Sequence, residues 1–223
     1  MKLDILYEDN HIIAINKPSG ALAQGDKTGD EPIVELVKAY VKNKYDKPGA
    51  VFIGIPHRLD RPTSGILLFA RTSKALTRLN QMFKDKLIQK TYWAVVKNPP
   101  PEKEAKLTHY LKKNQAKNKS FAKDQAFNQG LKCELNYSLI GKSKTYYLLE
   151  VKPLTGRHHQ IRVQLSSIGC PIKGDTKYGF DRPNEDKSIH LHARHIAFIH
   201  PVSKEDISIT APVPKDTVWQ AFV

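Results

Sequence analysis

Cysteine, tryptophan and methionine are scarce in this sequence, and long apolar runs are absent from it. Its 223 residues include two of each of these three types. Cys133 and Cys170 stand apart and form no CxxC pair, so neither a disulfide framework nor a cysteine-rich zinc site is expected. No apolar stretch approaches the roughly 20 residues of a membrane helix, and "MKLDILYEDN" has no signal-peptide core. The sequence therefore predicts a cytoplasmic protein without a membrane partner.

Signatures for nucleotide cofactors and metals are also missing. Neither G-x-x-x-x-G-K-[ST] nor G-x-G-x-x-G occurs, so no nucleotide cofactor is expected. His190, His192 and His195 form an H-x-H-x-x-H pattern that zinc can use. Strand alternation points His195 away from the other two, and no acidic ligand is near in sequence. We therefore expect no metal site, with a histidine-based metal-dependent hydrolase as a rival hypothesis.

Acidic residues are few relative to basic ones. The chain has 36 Lys and Arg against 22 Asp and Glu, which gives a formal net charge of +14. Such an excess indicates a polyanionic partner, most often nucleic acid, although a lysine-rich source proteome would produce the same charge. The segment "LKKNQAKNKSFAK" (111–123) carries five lysines and no acid. It is either a solvated loop or a loop that follows a phosphate backbone.

The hydrophobic pattern predicts an α+β protein with a mixed or antiparallel sheet. Residues 3–7 and 11–16 read as a hairpin, and residues 30–44 as a helix capped by Asp30 with one apolar stripe. A helix over 73–87 has Leu76, Leu79, Met82, Phe83 and Leu87 on one side. The other expected strands span 65–73, 90–97, 131–140, 145–153, 189–200 and 206–212, and a short helix closes the chain at 214–222. No segment reads as a linker, so residues 1–223 are expected to form a single domain.

The segment "HRLDRPTSG" (57–65) places a carboxylate, Asp60, between Arg58 and Arg61. Pro62 restricts Arg61 to extended geometry, and the following residues favour a turn. A carboxylate flanked by cations tends to stay ionised, and an ionised carboxylate can serve as nucleophile or general base. A structural loop ion pair would use the same residues, so this segment alone leaves both interpretations open.

A second arginine-containing segment, "TGRHHQIR" (155–162), follows a predicted strand. Gly156 is expected to permit a tight turn, with Arg157 at a helix start and Arg162 about one turn inside. The helix is expected to stop at Gly169. A helix N-terminus beside an arginine can hold an anion, although an ordinary charged first turn looks the same. In "KTYWAVV", Tyr92 lies on the same strand face as Ala94 and Val96, where it either stacks on a base or packs in the core.

In their order and spacing, these segments resemble the RluA-type pseudouridine synthases. The resemblance covers nearly the whole chain. It rests on "YEDNHIIAINKPSG", "HRLDRPTSGILLFART", "KTYWAVV", "LLEVKPLTGRHHQIRVQLSSIGCPIKGDTKYG" and "LHARHIAFIHP". The initial His57 in place of Gly is similar to this branch rather than to the related RsuA branch. The implied fold is α+β, with a mixed, bent, mostly antiparallel β-sheet, flanking helices and a central catalytic cleft. Many members carry an N-terminal S4 domain, which we expect to be absent here because the first predicted strand begins almost at Met1.

The resemblance implies roles for individual residues. Asp60 matches the catalytic aspartate, Tyr92 an active-site tyrosine, and Arg162 an arginine that pairs with the aspartate. Arg58 matches a residue that helps to fill the space left by a flipped nucleotide. The other expected substrate-binding residues are Arg61, Arg157 and His159.

The implied activity is isomerisation of specific uridines to pseudouridine in rRNA or tRNA. This reaction exchanges a C–N for a C–C glycosidic bond without redox change, so no cofactor is expected. The target uridine has to leave its stack to reach a carboxylate, which implies base flipping. We expect a monomer with RNA as its partner. A noncatalytic RNA-binding or assembly protein on the same scaffold is the rival hypothesis.

Overall fold

The computed structural model describes residues 3–25 and 29–223. These residues form two compact units, each built from discontinuous parts of the chain. The first unit comprises the described residues of Met1–Gln89 together with Ala193–Val213. The second comprises Lys90–His192 and Pro214–Val223. The assignment of all 223 residues to one catalytic domain stays a prediction.

The first unit is a set of antiparallel strands covered by two helices. Strand β1 pairs with β2, β2 pairs with β3, and β9 pairs with β10, all in antiparallel orientation. The β1–β2 pairing confirms the predicted hairpin. All seven residues of β3 are buried, as the unbroken apolar run indicates. The elements of this unit are β1 (Ile5–Glu8), β2 (Ile12–Lys17), α1 (Ile33–Lys44), β3 (Ser64–Ala70), α2 (Ser73–Lys84), most of β9 (Leu191–Ile199) and β10 (Asp206–Thr210).

Both predicted helices of this unit exist, but their ends differ from the prediction. The apolar stripe of α1 is buried as expected, at Ile33, Val34, Val37 and Val41. The prediction that Asp30 caps this helix is wrong, because α1 begins after Pro32 and the Asp30 carboxylate pairs with Arg61 instead. Helix α2 begins after Thr72, whose hydroxyl accepts from the Ala75 N–H at 3.1 Å.

The apolar side of α2 is mostly as predicted. Leu79 belongs to the core of the first unit, and Leu76, Met82 and Phe83 pack against it. Leu87 was predicted to belong to the same side. This is wrong, because the helix ends at Lys84 and Leu87 is exposed beyond it.

The second unit is a meander of long antiparallel strands against one helix. The pairings β4–β8, β8–β7, β7–β5 and β5–β6 are antiparallel. Helix α3 packs on one sheet face, where Ile161 and Leu165 join a core with Ala94, Leu149 and Val151. The elements are β4 (Gln89–Val96), β5 (Glu104–Asn114), β6 (Lys119–Lys123), β7 (Leu131–Lys142), β8 (Tyr147–Pro153), α3 (Gln160–Ser167), a 3-10 helix (Thr176–Tyr178) and α4 (Thr217–Gln220).

The lysine-rich segment 111–123 is a β-hairpin and not a loop. Strand β5 continues to Asn114, a short turn follows, and β6 pairs back from Lys119 with Asn114. The prediction of a loop is wrong because cross-strand pairing, and not local polarity, orders these residues. The contact of this segment with a phosphate backbone stays a prediction. The lysines still face outwards for the most part, so the segment remains a basic surface.

The α+β class with a mostly antiparallel sheet is confirmed. The bend of the sheet and the cleft stay predictions. Among residues 3–25 and 29–223, no helix is long and apolar enough to cross a membrane.

Gly65, the second residue of β3, has no room for a side chain. Its φ of +108° lies in a region that L-residues avoid. A Cβ atom there would lie 2.3 Å from the backbone oxygen of Ala193 and 2.5 Å from its nitrogen. This contact joins the end of the "HRLDRPTSG" segment to β9 in the same unit.

We expect Gly65→Ala to destabilise the first unit by about 3 kcal/mol or more, because strained φ and a clash with backbone add together. Urea unfolding followed by circular dichroism measures this change. The control is Gly49→Ala, where a Cβ would meet nothing within 4 Å. Equal stability of the two variants would contradict the prediction.

Candidate active site

In the first unit, Asp60 lies in a turn that is anchored on both sides. The Thr63 N–H donates to the Asp60 carbonyl oxygen at 3.0 Å, which closes the turn. Leu59 is buried next to it, and the ring of His57 accepts from the Leu68 N–H at 3.0 Å. The Asp60 side chain is half-buried. The loop therefore presents this carboxylate from a fixed backbone.

Lys17, at the end of β2, is buried beneath this loop and hydrogen-bonds to its backbone. It is 0% exposed, and its ammonium group donates to the carbonyl oxygens of Pro18 and Ala21 at 2.9 Å and of Arg61 at 3.2 Å. Burial lowers the pKa of Lys17 to about 7, an effect that the Asp60 carboxylate opposes and Arg61 reinforces. A buried cation thus lies close enough to Asp60 for their charges to interact.

The depressed pKa of Lys17 predicts a pH-dependent stability. The unfolded lysine titrates near 10.5 and the folded one near 7, so between these values the unfolded chain binds more protons. Stability from this group therefore rises with pH across that window, by at most about 1.4 kcal/mol per pH unit. The difference in unfolding free energy between wild type and Lys17→Met isolates the effect. A difference that stays flat from pH 7 to 10 would contradict the assignment.

The two arginines beside Asp60 have different surroundings. Arg61 donates through Nε to the Gly20 carbonyl at 3.0 Å and through Nη2 to Asp30 at 2.7 Å, so it ties the loop to the segment before α1. Arg58 is exposed. The assignment of both residues to RNA binding stays a prediction.

In the second unit, Tyr92 lies on β4 opposite Val151 of β8. It is half-buried and packs against the core that contains Ala94 and Val96, as strand alternation predicted. The ring is therefore held on one face while part of it stays accessible.

The segment "TGRHHQIR" forms a loop that enters α3 later than predicted. The helix begins at Gln160, so the predicted helix start at Arg157 is wrong, and His158 precedes the helix. The left-handed turn residue is His159, with φ of 55°, and not Gly156. The end of the helix is as predicted, because Gly169 has a left-handed φ of 77°.

Gln160 closes this loop with its buried amide. Its Oε1 accepts from the Thr155 hydroxyl at 2.8 Å and from the Arg157 N–H at 3.0 Å. Its Nε2 donates to the Glu134 carbonyl at 3.0 Å, which fixes the loop to β7. The loop thus has a defined shape, and the exposed Arg157 side chain projects from it.

Arg162 forms a buried two-point ion pair with Asp175. Its Nε donates to Asp175 Oδ2 at 2.7 Å and its Nη2 to Oδ1 at 2.8 Å. Arg162 is 4% exposed and Asp175 is 1% exposed. The guanidinium carbon also lies 5.1 Å from the centre of the Tyr178 ring, within cation–π range. This guanidinium is held rigidly from two sides.

Tyr178 links Arg162 to the loop and to the lysine-rich hairpin. Its hydroxyl accepts from the Ser120 N–H at 2.9 Å and is hydrogen-bonded to His159 Nδ1 at 2.8 Å. The hydroxyl of Ser120 lies 2.8 Å from the His158 carbonyl, to which it donates. His159, predicted to bind substrate, is therefore part of this network, and its contact with RNA stays a prediction.

Four residues of these surroundings were not assigned from the sequence: Lys17, Gln160, Asp175 and Tyr178. All four lie in segments on which the resemblance rests, "NKPSG", "HHQIR" and "GDTKYG". Their presence in these motifs was the feature of the sequence that could have identified them. The expected pairing of Asp60 with Arg162 stays a prediction.

The histidines considered for metal binding have other partners. His190 is hydrogen-bonded to Asn184 at 3.1 Å, lies 3.3 Å from an Asp216 oxygen and stacks on Trp219. His192 meets the same tryptophan ring edge-on, while His195 is hydrogen-bonded to Ser208 on β10. His190 and His192 thus share Trp219 as a neighbour in the second unit, and His195 contacts β10 in the first; their predicted opposite orientation stays a prediction.

The fold is that of the pseudouridine synthases. The solved structure of human RNA Pseudouridylate Synthase Domain Containing 4 matches it with a TM-score of 0.78, covering 95% of this chain and 89% of that one at 21% identity. A family model described as RNA pseudouridylate synthase matches residues 11–167. The chain belongs to this family, as its motifs indicated.

Two curated relatives illustrate the range of names among similar proteins. "Ribosomal large subunit pseudouridine synthase C" of Rickettsia bellii is 35% identical over 94% of this chain and 68% of its own length. "tRNA pseudouridine synthase C" of Vibrio parahaemolyticus is 33% identical over 99% of this chain and 93% of its own length. The chain thus spans about two thirds of the length of the ribosomal relatives and nearly the whole of the tRNA relative.

Proposed function

We propose that this protein converts uridine to pseudouridine in ribosomal or transfer RNA, with Asp60, Tyr92 and Arg162 as its catalytic residues. The observation that supports it most is the family match over residues 11–167, which includes all three. The names of the relatives, which refer to ribosomal RNA and to tRNA, support these two substrate classes.

The chemistry assigns a distinct task to each residue. Asp60 acts as nucleophile or general base towards the target nucleotide, from a loop whose backbone Lys17 holds in place. Arg162, whose guanidinium Asp175 holds in place, is the proposed ion-pair partner of Asp60. Tyr92 holds the base and assists proton transfer. Flipping the uridine costs a few kcal/mol, which stacking and phosphate contacts offset.

The proposal is tested with unmodified transcripts of large-subunit rRNA and of tRNA. Wild-type protein is incubated with each RNA in excess chelator, and nucleosides are separated by chromatography after digestion, because uridine and pseudouridine have the same mass. Pseudouridine in either RNA supports the proposal. Stoichiometric zinc found by elemental analysis of the purified protein would support the metal-dependent rival, and RNA binding without conversion the noncatalytic one.

We further propose that the protein acts as a monomer in the cytoplasm. Both cysteines are free and buried, as is usual for proteins of a reducing compartment. Light scattering on the eluting protein measures its mass, and a mass of twice 25.3 kDa would contradict the monomer.

A further inference from the structure

The two faces of strand β6 have different surroundings, one buried and one exposed to solvent. Ser120 points inwards, where it is buried and bonded to His158 and Tyr178. The residues on either side of it alternate outwards, and Phe121 is 41% exposed. A single exposed aromatic ring is common on protein surfaces, so its significance depends on what lies around it.

Phe121 is one member of a stacked aromatic pair. Its ring lies 5.7 Å from that of Phe127, with an angle of 29° between the planes. Phe127 in turn covers Gly130, where even a Cβ would lie 2.7 Å from the ring. Lys123 Nζ lies 5.2 Å from the centre of the Phe127 ring. Phe127 thus supports Phe121 from one side, and the cationic end of Lys123 lies beside the pair.

Lysines border this pair on the same sheet face, and one of them, Lys132, also pairs with Glu134 at 3.3 Å. Residues directly opposite in antiparallel strands share a face, and Lys112 is opposite Phe121. Tyr110 is opposite Lys123 on one side and Lys132 on the other, which adds Lys132 to the same face. We call the surface formed by Lys112, Phe121, Lys123, Phe127 and Lys132 the β6 face. An aromatic surface bordered by lysines matches stacked bases between phosphates better than it matches an apolar protein surface.

We propose that the β6 face binds a single-stranded RNA segment that flanks the target uridine, with one base stacked on Phe121 and phosphates near the three lysines. This inference rests on the proposed function, since it concerns the same RNA. It also places RNA contacts on the strand whose inward side supports the loop before α3. Bound RNA would therefore restrain that loop through Ser120.

The test measures fluorescence anisotropy of a short, labelled oligouridylate over a range of salt concentrations. Phe121→Ala is expected to weaken binding by about five- to a hundredfold without changing the salt dependence, because stacking involves no counterion release. Lys123→Gln is expected to reduce the slope of log affinity against log salt by about 0.7. The matched control is Ile140→Ala on β7, which removes a side chain of similar exposure (46%) and should change affinity by about twofold at most.

A second variant distinguishes loss of stacking from misfolding of Phe121→Ala. Phe121→Trp keeps an aromatic ring, so it should bind at least as tightly as wild type, and its emission should be quenched by the oligouridylate. Wild-type affinity in Phe121→Ala, or no added quenching in Phe121→Trp, overturns the proposal. These outcomes are separate from catalysis. If Phe121→Ala binds the oligouridylate normally while wild type still forms pseudouridine, only this inference fails. If Phe121→Ala weakens binding but wild type forms no pseudouridine, only the proposed activity fails.

Discussion

Asp60→Asn is expected to lower the rate of pseudouridine formation by at least about a hundredfold, the scale on which a positioned base or nucleophile contributes. Asparagine keeps the size of the side chain but cannot attack or accept a proton as a carboxylate does. The turn should persist, because its closing bond uses the Asp60 backbone and its interior support comes from Lys17. The measurement is the single-turnover rate on whichever transcript wild type modifies, with RNA affinity measured beside it.

Two further variants make this result specific. Asp60→Ala excludes recovery by deamidation of the asparagine. Asp206→Asn is the matched control, since Asp206 is an exposed carboxylate at the start of β10 and has no assigned role. If Asp60→Asn works at the wild-type rate, Asp60 has no part in the mechanism, and the motif "HRLD" would then have only a structural role.

Asp175→Asn is expected to destabilise the protein by about 3–5 kcal/mol, the usual effect of removing one charge of a buried ion pair. Arg162 donates two hydrogen bonds to Asp175 and is nearly inaccessible to solvent. Water therefore cannot solvate the guanidinium in place of the carboxylate. Activity should fall as well, because Arg162 would lose one of the contacts that fix its orientation. Urea unfolding followed by tryptophan fluorescence suits this test, since Trp93 and Trp219 both belong to the second unit.

Asp181→Asn provides the control for Asp175. Asp181 pairs with Lys97 at 2.5 Å in the same unit, but both side chains are more than half exposed. Such surface pairs contribute about 0–1 kcal/mol because water and salt screen them. A loss below about 1 kcal/mol in both variants would mean that the charge of Arg162 is balanced elsewhere.

Local patterns predicted the elements of this fold well where one periodicity dominates. The apolar stripe of α1 and the apolar run of β3 are both buried, as their sequence periodicity predicted. Such periodicity depends only on residues that are neighbours in the sequence. The ends of helices were predicted less well. Asp30 looked like a cap, yet it pairs with Arg61, and Leu87 continued an apolar stripe beyond the end of its helix. Capping depends on the path of the backbone, which composition does not specify.

The motifs by themselves determined the family and the residues to test, Asp60, Tyr92 and Arg162. The tertiary structure decided what surrounds them. Arg162 pairs with Asp175, and the loop of Asp60 depends on a buried lysine from β2. The lysine-rich segment is a hairpin whose Ser120 bonds to Tyr178, 58 residues away. Balancing a buried charge or satisfying a buried N–H requires groups that the folded chain brings together, and the spacing of residues along the sequence does not contain that information.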